Sequence, residues 1–178
     1  MKTTTRGLLG LAVLGVALPA LAHPGHEAAT GFGAGLLHPL TGLDHLLALL
    51  AVGMWSRQQR HGVVLPPVCL VLMALGASTG LAPPALETSI AATVLLLGVL
   101  AAFALRVPPS VSVLTVGVCG FLHGLAHGLE LSGKASGAGF LLASAGIMLL
   151  GALPGERVRR MAGAAIGAAG LVLLSGFA

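Results

Sequence analysis

The stretch LLHPLTGLDHLLALLAVGMW, residues 36–55, combines two properties that conflict in a membrane. Its length and apolar content suit a membrane-spanning helix, which needs about 20 residues. It nevertheless carries His38, Asp44 and His45. Ionisable side chains at membrane depth are costly, and they usually face the interior of a helix bundle, where they pair or bind a ligand. The stretch therefore predicts a membrane helix that carries a polar functional site.

The composition of the whole chain indicates a membrane protein. The 178 residues are 56% hydrophobic and only 8% charged, whereas a soluble domain is about 25% charged. We predict an all-α integral membrane protein whose surface contacts the lipid bilayer. The net charge of +4 does not indicate binding to nucleic acid, because the basic residues are scattered in short loops, where they have a topological role.

The first 22 residues have the pattern of a secretory signal peptide. Lys2 and Arg6 precede an apolar run at 7–18, and the sequence ALA at 20–22 is typical of a cleavage site. We expect residues 1–22 to be removed, and the alternative is an uncleaved anchor helix.

Residues 23–178 are predicted to form a single transmembrane domain. Apolar segments alternate with short breaks rich in proline, glycine and arginine, and each segment is close to the length of a membrane helix. The expected fold is a bundle of six transmembrane helices, at about 31–56, 62–82, 85–105, 109–131, 136–153 and 159–177. Many of the 27 glycines lie inside these segments, where small residues let helices approach closely.

The arginines predict the orientation of the bundle. If the mature N-terminus is exported, the first, third and fifth loops face the cytoplasm. The outer loops hold only Lys134, whereas these inner loops hold Arg57, Arg60, Arg106, Arg157, Arg159 and Arg160. This bias follows the positive-inside rule. We predict a multi-pass protein of the bacterial inner membrane with a periplasmic mature N-terminus.

Seven ionisable side chains lie inside or at the edge of the predicted spans: His38, Asp44, His45, Glu87, His123, His127 and Glu130. His38 and His45 are seven residues apart, and His127 and Glu130 follow His123 by four and seven residues. Each of these spacings places the side chains on one face of a helix. At a rise of about 1.5 Å per residue along straight helices, all seven fall between the outer surface and the middle of the membrane. We therefore expect one site.

The residue types indicate a metal. Imidazole and carboxylate together suit a borderline divalent ion such as nickel, cobalt, zinc, copper or iron. Cys69 and Cys119 are expected to be small buried residues without a disulfide. His23 and His26, at the start of the mature chain, could capture metal above the site, or they could belong to a loose tail. Hydrogen-bonded packing histidines and a proton relay are the alternatives to metal binding.

Two motifs resemble the signatures of a known family. HPLTGLDH at 38–45, followed by AVG, and FLHGLAHGLE at 121–130 are similar to the two motifs of the HupE/UreJ family. Glu87, in PPALETSIAATVLLLG, resembles the acidic position of that family's third span, and the predicted signal that ends just before a histidine is similar too. The resemblance covers essentially the whole mature chain.

The resemblance implies a small nickel or cobalt permease that serves hydrogenase and urease maturation. Nickel is then the first expected substrate and cobalt the second, with zinc and copper left open, and no organic cofactor or enzymatic activity is expected. The carried-over metal contacts are His38, Asp44, His45, Glu87, His123, His127 and Glu130. A metal sensor or chaperone, an intramembrane metal-dependent hydrolase and a proton-conducting protein remain as alternatives.

Overall fold

The structure is a computed structural model that describes residues 29–176. The predicted signal peptide at 1–22, together with His23 and His26, lies outside the described residues. The described part contains a short 3₁₀ helix at Gly62–Val64 and a two-residue parallel pairing of β1 (Ala29–Thr30) with β2 (Leu131–Ser132). Its α-helices are α1 (Phe32–Thr41), α2 (Leu43–Ser56), α3 (Leu65–Thr79), α4 (Leu86–Ala102), α5 (Pro109–Glu130), α6 (Lys134–Ala152) and α7 (Glu156–Ser175).

These helices confirm the prediction of a helical, multi-pass membrane fold. Within residues 29–176, four helical segments are long and apolar enough to cross a membrane: Gly62–Thr79, Pro109–Gly128, Lys134–Ala152 and Glu156–Ser175. Helix α4 is apolar but shorter, with 17 residues. The pair α1–α2 would add a fifth crossing if it forms one bent span.

The first predicted span is not a single straight helix. Helices α1 and α2 meet at an angle of 86°, so the expectation of one continuous helix over 31–56 is wrong. Pro39 lies inside α1, where it lacks a backbone N–H. Gly42 then adopts an extended conformation between the two helices. The depths estimated for His38 and His45 along one straight axis therefore do not apply.

Polar groups beside this bend satisfy the backbone. The Thr41 hydroxyl donates to the carbonyl of His38 at 2.7 Å. The Asp44 carboxylate accepts the backbone N–H of His45 at 2.7 Å, and an acidic group suits the first turn of α2 because the helix dipole is positive there. The bend is thus a defined structure in which two short helices present their histidines from different directions.

Glycines set the spacing between α3 and α5. Three glycines of α5, four residues apart, each lie against α3, and a methyl group on any of them would overlap α3 backbone: Gly120 at Cys69, Gly124 at Met73 and Gly128 at Ala77. Small residues at such a spacing let two helix backbones touch. The contact holds the histidine-bearing half of α5 in a fixed position. Both cysteines of the chain are buried and unpaired, as expected.

The remaining helices pack through the same kind of contact. Gly98 of α4 lies against Gly167 of α7. Helix α6 packs along both halves of the bent pair, with Ser136 against Gly35 and Met148 against Gly53. Because α6 contacts α1 and α2 together, it supports the angle between them.

The interior and exterior of the bundle are both apolar. Trp55, Leu97 and Met148 belong to a buried core, whereas Leu114 and Leu149 are about two-thirds exposed. Large exposed apolar side chains on helices are costly in water and suit contact with lipid. The outer surface therefore supports the membrane assignment.

The predicted inner loops meet at one end of the bundle. The Trp55 indole donates to the carbonyl of Leu105 at 2.9 Å, which brings the end of α2 to the end of α4. Arg160 of α7 donates to the carbonyl of Ala102 at 3.1 Å. Lys134 lies at the other end, where α6 begins directly after β2.

Candidate functional site

The candidate site lies where the α1–α2 bend meets the C-terminal half of α5. Helix α1 provides His38 and α2 provides His45, while α5 provides His123, His127 and Glu130. Their side chains are joined by direct contacts across 78 to 92 residues of sequence. The structure thus brings together five of the predicted site residues.

Three ligand atoms form the more exposed part of the site. The His38 Nε2 atom lies 2.7 Å from His127 Nδ1, and Glu130 Oε2 lies 3.0 Å from each of them. Two ligand atoms around a tetrahedral metal, each about 2.1 Å from it, are separated by roughly 3.4 Å. A spreading of a few tenths of an ångström would therefore admit an ion. The Glu130 side chain is 57% exposed, so this group is open to the outside of the bundle.

Two further histidines continue inward from His127. Its Nε2 atom lies 2.9 Å from His45 Nδ1, which in turn lies 3.0 Å from His123 Nδ1. His45 and His123 are 1% and 3% exposed. The Nε2 atom of His45 is buried and has no hydrogen-bond partner among the described residues. Possible ligand atoms thus extend without a gap from an exposed carboxylate to a buried imidazole.

The sequence analysis missed two residues of this site. Thr93 of α4 ends the chain of contacts, with its Oγ1 atom 3.0 Å from His123 Nε2. Phe140 of α6 packs against three of the rings, with centroid distances of 4.8 Å to His127, 5.1 Å to His45 and 6.1 Å to His38. A threonine and a phenylalanine in apolar helices belong to no recognisable motif. The sequence signal for Thr93 was its polar side chain within a predicted span, and Phe140 had none.

Asp44 and Glu87 lie beside the chain of rings. Asp44 uses its carboxylate on the His45 backbone. Glu87 is exposed in the first turn of α4, close enough to Asp44, Glu130 and His127 to interact with them electrostatically. Three carboxylates beside the same group of rings create a negative potential that attracts cations.

Comparison with known proteins identifies the family. The profile described as HupE / UreJ protein matches residues 11–178. The chain belongs to the HupE/UreJ family. The resemblance seen in the two motifs is therefore confirmed. The chain is also similar to Protein HupE of Rhizobium leguminosarum bv. viciae, with 41% identity over 180 residues that cover 90% of this chain and 94% of the relative. No solved structure matches the chain.

Proposed function

We propose that this HupE/UreJ protein is a permease that moves a divalent transition metal, nickel first and cobalt second, from the periplasm to the cytoplasm. The observation that carries the proposal is the unbroken chain of ligand atoms that begins at Glu130 and runs over four imidazole rings, of which His123 is the last. A path of closely spaced, moderately strong ligands suits an ion that must enter and also leave.

The pattern of contacts favours metal binding over packing. A buried histidine that serves packing usually bonds to the backbone or to an unlike side chain. Here His45 and His127 instead direct ring nitrogens at other ring nitrogens. Imidazole nitrogens with one carboxylate form a ligand set for nickel, cobalt, zinc or copper.

The electrostatics support inward movement. Three carboxylates, Asp44, Glu87 and Glu130, would offset the two positive charges as the ion loses its water. Two charges that cross an inside-negative potential of 100 mV release about 4.6 kcal/mol. This driving force would be enough for uptake without ATP hydrolysis by this chain. We propose no catalytic role for the site.

The proposed topology places the histidine end at the periplasm and the arginine end in the cytoplasm of a bacterial inner membrane. Residues 1–22 are proposed to be a cleaved signal peptide, and residues 23–178 a domain with six membrane segments of which the first is bent. His23 and His26 would then lie at the exported N-terminus and capture metal. N-terminal sequencing of the purified protein is expected to read His-Pro-Gly-His. Residual Met1 would contradict cleavage.

The decisive experiment measures metal binding and uptake on the same preparation. The purified protein is tested with nickel, cobalt, zinc and copper, and the tightest binder is followed into proteoliposomes with an imposed membrane potential. His45→Ala is expected to lose both binding and uptake. His61→Ala is the matched control, since His61 is exposed at the arginine end.

Other results would favour other functions. Metal that is bound but never accumulates would indicate a sensor or chaperone. No bound metal, together with proton flux that requires His45, would indicate a proton path. A role in urease or hydrogenase maturation would be tested by the activity of those enzymes in cells that lack this protein and are starved of nickel.

A further inference from the structure

We infer that the arginine end of the bundle binds an anionic phospholipid, whose phosphate lies in a cavity beside Arg60 and Arg106 and whose acyl chain lies in an adjoining groove. The cavity of about 420 Å³ is lined by the segment that follows α2, the α4–α5 loop and the start of α5. The groove of about 480 Å³ lies between the start of α3 and the C-terminal half of α6. This inference does not depend on metal transport, because it requires only that the bundle lies in a membrane.

The cavity carries uncompensated positive charge. Arg60 and Arg106 both line it, and no acidic residue does. Within residues 29–176 the ion pairs join histidines to Glu130 at the histidine end, so neither arginine has a carboxylate partner in this part of the chain. Helix α5 begins at Pro109, which also lines the cavity, and the N-terminus of a helix favours anions. An anion in the cavity would offset the repulsion between these positive groups.

Hydrogen bonds of Gln59 hold the wall of the cavity together. Its Nε2 atom donates to the carbonyl of Leu105 at 2.8 Å, and its Oε1 atom accepts the backbone N–H of Val107 at 3.2 Å. These two bonds join the segment that carries Arg60 to the loop that carries Arg106. The backbones of both arginines are thus fixed before a ligand binds, which lowers the entropy that binding would cost.

The apolar groove continues directly from the cavity. Gln59 and Arg60 line both of them, so the cavity and the groove meet at these residues. The groove is otherwise lined mainly by apolar side chains, among them Val63, Pro66 and Leu149. Val63 is 85% exposed and Leu149 is 65% exposed, and exposed apolar surface of this kind marks a site for a ligand or for lipid. The surface therefore suits a molecule with an anionic head and an apolar chain.

A phospholipid with net negative charge has this chemistry. Its phosphate can accept paired hydrogen bonds from guanidinium groups, whose planar shape matches the phosphate oxygens. Basic pockets between membrane helices bind the head groups of acidic lipids in this way. A zwitterionic lipid such as phosphatidylcholine carries a cation of its own, which the arginines would repel. We therefore expect phosphatidylglycerol to bind more tightly than phosphatidylcholine.

The test measures lipid binding to the full chain in a neutral detergent, by native mass spectrometry and by thermal unfolding. Phosphatidylglycerol, phosphatidylcholine and inorganic phosphate are added separately. The Arg60→Gln, Arg106→Gln double variant is compared with the wild type and with Arg157→Gln, which removes an exposed charge that lines neither the cavity nor the groove.

Phosphatidylglycerol alone is expected to raise the melting temperature of the wild type and of Arg157→Gln. In the double variant its affinity should fall roughly tenfold to a hundredfold, the usual effect of losing a hydrogen bond to a charged group. Arg60→Lys should bind with intermediate affinity, because lysine keeps the charge but not the paired donors. The variants should have similar melting temperatures without lipid, so a loss of binding would not reflect unfolding.

Several outcomes would overturn the inference. Equal stabilisation by phosphatidylglycerol and phosphatidylcholine would show general contact with lipid only. An effect of phosphatidylglycerol that persists in the double variant, or that is lost equally in Arg157→Gln, would show attraction to the whole basic surface instead of this cavity. Stabilisation by inorganic phosphate to the same extent would leave an anion site without a lipid. The absence of metal uptake would not bear on any of these results, so the permease and the lipid site fail separately.

Discussion

The two ends of the bundle use polar residues in opposite ways. At the histidine end, the rings of His38, His45, His123 and His127 contact one another and the carboxylate of Glu130. At the arginine end, Arg160, like the amides of Gln58 and Gln59, donates to backbone carbonyls of neighbouring helix ends. At the histidine end, ligand atoms from three helices lie close together. At the arginine end, each polar side chain instead donates a hydrogen bond to a single backbone carbonyl.

This difference separates a binding role from a topological one. A cationic side chain near a helix end acts mainly through its charge and its position relative to the membrane. A metal ligand acts through the direction of a lone pair, so it depends on the orientation of several helices at once. Substitutions should therefore have large, specific effects at the histidine end and small effects on transport at the arginine end.

The largest expected effect is that of His127→Ala. His127 contacts His38, His45 and Glu130, so its loss would interrupt both parts of the site. We expect metal uptake into proteoliposomes to fall to the level of protein-free vesicles. His61→Ala at the arginine end should remain close to wild type. Equal losses of metal uptake in His127→Ala and His61→Ala would show that the two ends of the bundle do not differ in function.

A second large effect is expected where α5 touches α3. Gly124→Ala would place a methyl group on the backbone of Met73, and overpacking of this kind costs about 1–3 kcal/mol. Gly146→Ala is the same change on α6 at a position that faces open space, and it should be neutral or stabilising by up to about 1 kcal/mol. Thermal unfolding in detergent measures both. A Gly124→Ala protein with a wild-type melting temperature would show that the helices can separate without cost.

Acidification should weaken transport more moderately. Protons and metal compete for the same imidazole lone pairs. We expect the apparent metal affinity of the wild type to decrease as the outside pH is lowered, because a ring nitrogen that gains a proton can no longer bind the ion. Uptake at several metal concentrations and pH values would measure this. Affinity that is constant or improves at low pH would indicate that the rings are not the ligands.

The smallest effect is expected at the arginine end. Arg60→Gln and Arg106→Gln remove charges that lie beside a cavity of about 420 Å³, whose lining includes His61 but none of the histidines of the candidate site. Transport by correctly inserted protein should change by less than about twofold, since exposed charges make small energetic contributions. Uptake per correctly oriented molecule, with orientation checked by protease accessibility, measures this. A large loss would indicate that the ion also binds at this end.

The sequence predicted the class of fold and most of the candidate site. Runs of apolar residues are sufficient to indicate membrane helices, because a backbone in lipid must satisfy its own hydrogen bonds. His38, His45, His123, His127 and Glu130 were recognisable because ionisable groups are rare and costly in such runs. These deductions depend on local composition, which a single sequence contains in full.

The bend between α1 and α2, and the contacts of Thr93 and Phe140 with the histidine rings, could be seen only in the tertiary structure. Pro39 and Gly42 permit a break, but the packing of α6 against both α1 and α2 determines how far the chain turns there. Thr93 and Phe140 belong to helices whose approach to the histidines cannot be read from periodicity. Which nitrogen of His127 faces which neighbour depends on ring orientation across separate helices. The composition of the chain thus indicated which ionisable side chains lie in the membrane segments, and the packing of the helices determined which of their atoms come into contact.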